Sequence, residues 1–535
     1  MLTLNRRELS DLECLLDGSY APLTGYMTQA EYQSVLATCR LANGSLWALP
    51  IVLHISTSVM VEITNQQLTQ LSLRDETSLP VATLTISEMY RPDYEAECRQ
   101  IYGTTDRNHP TVQRILQQDG YYVAGTVIPL QPIQHYDFLQ YRLTPSDVRQ
   151  QIQERGWTTI VGFQTRNPLH RSHVELTKLA LQHAGPDAKL LLHPVVGETQ
   201  ECDIDYFTRC KCYEHVLPYY PDNTVLLALL PYSMRMGGPR EALQHAIIRK
   251  TYGCTHFVVG RDHAGPSYKT QSGTSFYGPY DAQNFVQQYA SELGIQIIAL
   301  QNIQYIPDHG YFTEDRIPPE LATKVQNLSG TELRSLLSKQ LPIPKWYTYP
   351  EIAQELQKAY RLQTTGVCIY LVGLSGSGKS TIANALRITL LQQTDRIVSL
   401  LDGDVVRLYL SKGLGFSKAD RSTNVRRIGY VASEIVKHGG VVICANIAPY
   451  AEDRQYNRQL ISQYGRYIEV FVDTDLSTCE ARDVKGLYRL AREGVLKEFT
   501  GISDPFERPE DADLVLRHGS IMEQVNAIMR VGFSS

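Results

Sequence analysis

The stretch GLSGSGKST, from Gly373 to Thr381, leaves the chain around it few folds to adopt. It fits GxxxxGK[ST] at Gly373, Gly378, Lys379 and Ser380, follows the apolar run VCIYLV and opens the helical run IANALRITLL. A glycine-rich turn cradles phosphate in backbone N–H groups when strand, loop and helix succeed one another in a parallel sheet. Gly373, Ser375, Gly376, Ser377, Gly378, Lys379, Ser380 and Thr381 are therefore expected to bind ATP. Lys379 would reach the β and γ oxygens, and Ser380 would hold the Mg2+ that travels with ATP. The next apolar run, RIVSLLDGD, ends in Asp402 and Asp404, where a carboxylate can bind hydrated magnesium or accept a hydroxyl proton.

The same alternation occurs earlier. TTIVGF, HRSHVELTKLALQHAG, KLLLHPVVG, TVLLALL, PREALQHAIIRKTYG and THFVVG alternate strand and helix patterns, which predicts βαβ units and a parallel sheet over 142–310. Ligands of such sheets bind at the carboxyl ends of the strands. Residues 1–141 read as a β-rich domain, with WALPIVLHIS, VATLTISEMY and YYVAGTVIPL as strands. A small α/β subdomain and linker fill 311–360. It includes LSGTELRSLL, where Ser329 and Glu332 have capping-box spacing, and the polar KAYRLQTTG marks the junction with a second α/β domain over 361–535. A chain of 535 residues is too long for one core, so an α/β multidomain protein is expected.

A formal charge of −5 excludes a broad footprint on nucleic acid. The start MLTLNRRELSDLE is charged where a signal peptide is apolar, and no run reaches the roughly 18 apolar residues of a membrane span. A cytoplasmic protein without membrane or nucleic-acid partners is expected, with its ten cysteines reduced. Cys202, Cys210, Cys212 and His215 cluster without a CxxC spacing, so no zinc is expected there.

The second chemical motif is QTRNPLHRSH. Past a strand ending near Phe163, Gln164 and Arg166 are two apart and face one pocket if extended. His170 and His173, three apart, share a face of the first helical turn, where N–H groups and the macrodipole attract a polyphosphate. HxxH can ligate zinc, but no third ligand is spaced to complete that site. In MRMGGPREALQHAIIRKTYGCTHFVVGRDHAGPS, Gly237, Gly238 and Pro239 set a close backbone approach and a helix start. The strand THFVV then delivers Gly260, Arg261, Asp262 and His263. If the two strands are neighbours, their loops meet in a cationic cleft.

QTRNPLHRSH, MRMGGPREALQHA, GRDHAGP and SGTELR together resemble ATP sulfurylase (sulfate adenylyltransferase), an HxxH-type nucleotidyltransferase, from Met1 to about Gln357. The resemblance implies a PUA-like amino-terminal domain and a Rossmann-like catalytic domain. It implies attack of a sulfate oxygen on the α-phosphorus of ATP, releasing pyrophosphate and forming adenosine 5′-phosphosulfate (APS). By it, Gln164, Arg166 and the backbone at Ala264 hold sulfate, and His170 and His173 stabilise the phosphates. Gln164, Thr165, Arg166, Asn167, Gly260, Arg261, Asp262 and His263 line the nucleotide, with Arg166, Asn167, His170, His173 and Arg235 catalytic.

LDGDVVRLYLSKGLGFSKADRSTNVRR, NIAPY, DVKGLYRLAREG and EFTGI resemble adenylylsulfate kinase over 366–535. This implies transfer of the ATP γ-phosphoryl group to the 3′-hydroxyl of APS, giving PAPS, with Asp404 catalytic. Arg407, Arg421 and Asn424 would grip the phosphosulfate, Lys485 would be the lid lysine, and Phe416 and Phe499 would sandwich adenine, with Asp402 and Ile447 beside them. Val405 stands where the family often has Asn, Ala448 where it has a Ser sometimes phosphorylated, and Ala451 where an Arg is common. Fungal relatives with this domain order have lost the phosphate loop and use the domain as a regulatory site. The intact loop here favours a working kinase over a regulatory module, while a sulfurylase running toward ATP is a further alternative. Family members commonly form homo-oligomers, and ATP, sulfate, APS, pyrophosphate and PAPS are the implied small-molecule partners.

Overall fold

A computed structural model describes residues 1–200, 203–339, 341–359, 366–394, 396–517 and 519–533. The chain forms two compact units, Met1–Ile133 with Phe138–Gln357, and Gln134–Asp137 with Lys358–Ser535. Residues 134–137, inside the expected 1–141 segment, thus belong to the second unit, where Tyr136 packs on its core. The expected junction at 360/361 lies outside the described residues.

In the first unit, β1 (Leu2–Thr3), β2 (Gly25–Tyr26), β3 (Leu53–Ser56), β4 (Gln70–Arg74), β5 (Pro80–Tyr90) and β6 (Gly120–Pro129) form one sheet in the order β1-β4-β5-β6-β2, with β3 also on β6. VATLTISEMY and YYVAGTVIPL pair antiparallel as their alternation predicts. WALPIVLHIS does so only from Leu53, because Pro50 has no N–H for a ladder.

The second sheet of this unit is wholly parallel: β7 (Ile160–Phe163), β8 (Lys189–Leu192), β9 (Val225–Leu227), β10 (His256–Val259) and β11 (Gln296–Ala299) run in the order β11-β10-β7-β8-β9. The first strand in sequence is central, so strand order reverses between β7 and β10, and the loops leaving these two carboxyl ends border a crevice. Close packing there depends on Gly162, since a Cβ would lie 2.9 Å from Arg249 Cγ and 3.0 Å from Cys254 Sγ. A hairpin of β12 (Ile303–Ile306) and β13 (Gly310–Thr313) follows, and the boundary expected at 310 falls within it, because cross-strand pairing from Ile303–Thr313 to Ile306–Gly310 closes the pair as one piece. The expected capping box forms: Ser329 N–H donates to Glu332 Oε2 at 2.7 Å, and Glu332 N–H to Ser329 Oγ at 3.2 Å.

In the second unit β14 (Gly366–Val372), β15 (Val398–Asp402), β16 (Val441–Asn446), β17 (Gly465–Val472) and β18 (Leu514–Leu516) form a parallel sheet in the order β15-β16-β14-β17-β18. Alternate β14 residues serve opposite faces. Val367, Ile369 and Leu371 pack with Ile382, Leu386 and Leu390 of the Lys379–Gln393 helix, whereas Cys368, Tyr370 and Val372 pack with Val425, Ile428 and Ala432 of the Lys418–Lys437 helix. Among the described residues no helix is long and apolar enough to cross a membrane, and the described cysteines are buried thiols.

Arg235, expected to be catalytic, is turned into the first unit instead. Its Nη2 meets both carboxylate oxygens of Asp11 at 2.7 and 2.8 Å, its Nη1 donates to Ser233 O at 2.9 Å, and both partners are buried. Asp11 lies on the Arg6–Leu16 helix, so the pair locks the amino-terminal domain onto the segment that follows β9. Removing one member of a buried pair strands the other charge. The three tryptophans, Trp47, Trp157 and Trp346, all lie in the first unit and report its unfolding. Asp11→Ala is expected to lower that unit's stability by about 3–5 kcal/mol in a fluorescence-monitored denaturant titration, and Arg235→Met in the same background should restore part of it. A loss below about 1 kcal/mol, the range of an exposed pair, would show that the pair is not structural.

Candidate active sites

β7 ends at Phe163, and residues 164–170 lead without regular structure into the Arg171–Ala184 helix. Neighbouring groups fix this connection. Asn167 N–H donates to Thr165 Oγ1 at 3.1 Å, Tyr213 OH to Asn167 O at 2.9 Å, and Arg209 Nη1 to Arg166 O at 2.7 Å. The backbone continues its ladder past Phe163, with Val195 N–H donating to Thr165 O at 3.1 Å, but Gln164 and Arg166 contact different groups. Gln164 Nε2 contacts Met234 Sδ at 3.7 Å, while Arg166 Nη1 holds Asp203 at 2.7 and 2.8 Å and Nη2 donates to Gly265 O at 3.2 Å. Arg166 therefore bridges the loops after β7 and β10, which are neighbours as the sequence pattern required. Its charge is matched by Asp203, a residue the motif gave no reason to notice.

The histidines also differ from expectation. His170 occupies the N-cap position, one residue before the helix, and its N–H donates to His173 Nδ1 at 3.2 Å. The His170 ring packs on Tyr347 at 4.2 Å between centroids. Burial, with His173 alongside, pushes His170 well below the ordinary histidine range, and burial brings His173 down to about 4. Both rings are neutral at physiological pH, so positive potential comes from the helix N-terminus and the arginines. The cationic cleft is less cationic than its composition implies.

After β10 the chain turns sharply through Asp262 (φ 52°) and Ala264 (φ 58°). Gly238, at φ 50°, donates its N–H to Ala264 O at 3.1 Å, and a Cβ there would lie 2.5 Å from the Tyr277 ring. This is the close backbone approach expected of the GGP turn. Arg261 and Asp262 pair at the surface at 3.2 Å, beyond Gly260. His263 points inward, its Nε2 3.0 Å from His245 Nδ1, and burial with the cations of Arg249 and Arg166 holds it at about 3.

Cys210 and Cys212 sit two residues apart on the Tyr206–Val216 helix and so face different ways. His215 Nε2 lies 3.7 Å from Glu355, and Cys202 is outside the described residues. Among the described residues no group of three metal ligands occurs.

In the second unit the phosphate loop joins β14 to the Lys379–Gln393 helix, which Ser380 and Thr381 help to open. Gly376 (φ 73°) and Gly378 (φ 103°) take backbone conformations that side chains rarely adopt. Lys379 Nζ folds back onto Leu374 O at 2.6 Å and Ser377 Oγ at 3.3 Å, and burial brings it down to about 8. Loop carbonyls are held from outside: Tyr488 OH donates to Ser375 O at 2.8 Å, Thr474 Oγ1 to Ser377 O at 3.0 Å and Arg482 Nη1 to Gly376 O at 3.2 Å. The loop ends beside a carboxylate, for Ser380 Oγ donates to Asp402 Oδ2 at 2.6 Å. Asp402 also caps the Gly403–Tyr409 helix by accepting Asp404 N–H at 3.0 Å, and Asp404 is paired with Lys485.

Arg407 lies over the exposed Phe416 ring at 4.4 Å and donates to Gly415 O at 3.1 Å. Arg421, expected to grip a ligand, is buried and already engaged. Its donors reach Phe416 O at 2.6 Å, Thr500 Oγ1 at 2.6 Å and Glu498 O, and it pairs with Asp504 at 2.6 Å. It thereby ties the Phe416 segment to the one bearing Phe499, which is buried edge-on to Tyr488 at 5.0 Å. Asn424 is buried, and among the described residues its Oδ1 meets no hydrogen-bond partner, while Ile447 lies half-buried just past β16. Ala448 adopts φ 41° and is buried, Ala451 N–H donates to Glu507 Oε2 at 2.7 Å, and Val405 is exposed.

Three family profiles match in succession: a PUA-like domain over residues 1–132, ATP-sulfurylase over 139–359 and adenylylsulphate kinase over 365–517. The sulfate adenylyltransferase of Chaetomium globosum is 45% identical over 520 residues, covering 96% of this chain and 90% of that one. That of Aspergillus oryzae is 44% identical over 519 residues with the same coverage. Among solved structures, the hexameric APS kinase from Thiobacillus denitrificans covers 99% of this chain and 92% of its own, with a TM-score of 0.57 at 31% identity. With a PUA-like domain, a parallel sheet carrying the first site and a phosphate-loop sheet carrying the second, the chain belongs to the sulfate adenylyltransferase family and joins an ATP-sulfurylase domain to an adenylylsulphate kinase domain.

Proposed function

We propose that the two sites act in sequence on sulfate: adenylyl transfer from ATP gives APS and pyrophosphate, and ATP-dependent phosphorylation of APS gives PAPS. The observation that carries the second step is the complete phosphate loop, with Lys379 and the Ser380–Asp402 pair at its end. In the first step a sulfate oxygen attacks the α-phosphorus and pyrophosphate leaves, so no side chain need form a bond. Catalysis is positioning plus preorganised donors. Gln164, Arg166 and the backbone at Ala264 hold sulfate, and Asp203 yields part of Arg166 to the bound anion. His170 and His173 donate N–H bonds to phosphate oxygens, while Thr165, Asn167, Gly260, Arg261, Asp262 and His263 line the nucleotide.

In the second step Lys379 leaves Leu374 O for the β and γ oxygens of ATP. Ser380 Oγ and Asp402 offer hard oxygen donors that suit Mg2+, which when bound neutralises charge developing on the phosphates. Asp404 accepts the proton of the APS 3′-hydroxyl as the γ-phosphoryl group passes to that oxygen and ADP leaves. Lys485, its partner, then faces the transferring group. Phe416 and Phe499 take adenine between them, with Arg407, Asn424 and Ile447 beside the phosphosulfate. A second reading, a regulatory nucleotide-binding domain, is favoured by one observation: Arg421 is spent on internal partners. The hexameric neighbour supports a homo-oligomer, and buried thiols support work in the cytoplasm.

Full-length protein given ATP, magnesium, labelled sulfate and pyrophosphatase is expected to form labelled APS transiently and then PAPS. Lys379→Ala should cut PAPS formation by about 10²-fold or more while APS accumulates at an unchanged initial rate. PAPS formation that survives Lys379→Ala would remove the kinase assignment. Arg166→Ala should have the converse effect, reducing APS formation by about 10²-fold or more without altering phosphorylation of supplied APS. Because Lys379 sits at about 8 in the ligand-free protein, it is partly neutral above pH 8, and bound phosphate restores its charge. Calorimetry at pH 8 in buffers of different ionisation heat should therefore record uptake of roughly half a proton per ATP at this site, absent in Lys379→Met.

A further inference from the structure

The Gly238–Thr251 helix turns a polar stripe toward the protein interior. Glu241, His245 and Arg249 recur at intervals of four, share one face, and are fully buried. Burying such groups is costly unless each finds a partner. Glu241 accepts from Tyr232 OH at 2.8 Å, Arg235 N–H at 2.7 Å and Gly237 N–H at 3.0 Å. Arg249 Nη2 donates to His193 O at 2.8 Å, just past β8. His245 lies between them, its Nδ1 3.0 Å from His263 Nε2 and its Nε2 3.8 Å from Glu241 Oε1.

A neutral imidazole has one donor and one acceptor nitrogen. The groups around His245 are the Tyr232 ring at 5.2 Å, the cations Arg249 and Arg235, His193, His263 and the Glu241 carboxylate. Of these only the carboxylate carries a negative charge; it lies on the Nε2 side at 3.8 Å, beyond hydrogen-bond reach, and its field favours the hydrogen on Nε2. His245 Nε2 then carries the hydrogen, Nδ1 accepts, and His263 Nε2 is the donor. His263 is left with Nδ1 as an acceptor. Burial holds both rings well below the ordinary histidine range, so neither carries a charge at neutral pH.

We propose that Glu241 and His245 are positioning residues that fix the orientation and tautomer of His263, so that His263 offers Nδ1 as a hydrogen-bond acceptor to the nucleotide of the adenylyl-transfer site. This rests on the reading above that His263 lines that site. An acceptor nitrogen pairs with a hydroxyl or amino group of the nucleoside and repels a phosphate oxygen, so His263 would serve recognition of the nucleoside while His170 and His173 serve phosphate.

The test measures sulfate-dependent pyrophosphate release by full-length variants. His245→Leu is expected to lower kcat/KM for ATP by roughly 10- to 100-fold, as misplacement of a positioned group does, with KM for sulfate within about twofold. His245→Asn, whose amide oxygen falls near Nδ1, should recover most of the loss. His245→Gln, which reaches toward Glu241 instead, should not. Adding His245→Leu to His263→Ala should cost nothing further. Equal impairment in the Asn and Gln variants, or additivity in the double variant, would overturn the relay and leave a packing role. If the leucine variant does not fold, the Asn and Gln pair decides alone. If His263→Ala itself is fully active, the placement of His263 fails, an outcome distinct from failure of the relay.

Discussion

A triphosphate brings several negative charges to within a few ångströms of one another, and a protein can hold it only where fixed N–H groups and cations already converge. Parallel sheets solve this in one way here, used twice. β7 and β14, each first in its sheet by sequence, lie at the centre of five strands, so the turns leaving them emerge beside a reversal of strand order. Everything else is arranged around those two turns. Gly162 admits Arg249 beneath β7, Gly238 admits Tyr277 beside the neighbouring turn, and β14 is covered on both faces by alternating apolar residues.

What the cations do without ligand follows from the same constraint. Arg166 is matched by Asp203, Arg421 by Asp504, Lys485 by Asp404, and Lys379 leans on a carbonyl of its own loop. Left alone in partly buried positions these charges would be poorly solvated. Binding is consequently an exchange of partners, and its free energy is the difference between two sets of contacts. His170, His173 and His263 follow the opposite course, shedding their charge because burial sets no anion against them.

The alternation of apolar runs and the two loop motifs made both parallel sheets readable, since strand and helix periods depend on local sequence. The crevice between β7 and β10 was readable conditionally, because motif residues had to meet there if the strands were neighbours. Ion pairs were not. Asp203 lies 37 residues from Arg166, and Asp11 lies 224 from Arg235, and no periodicity links such positions. Arg235 therefore looked like a site residue from its motif, although its guanidinium faces the amino-terminal domain. The hairpin across residue 310 was missed for a related reason: its short strands carry too few residues to display alternation.

Ala448 closes one chemical route as a matter of composition. It is buried in a left-handed turn just beyond β16, and its methyl group has no oxygen to take up a phosphoryl group. With no ester possible at this residue, the direct transfer proposed above is a single displacement. The stereochemistry at the migrating phosphorus would be inverted, whereas a relay through an enzyme-bound ester would return it to its starting hand.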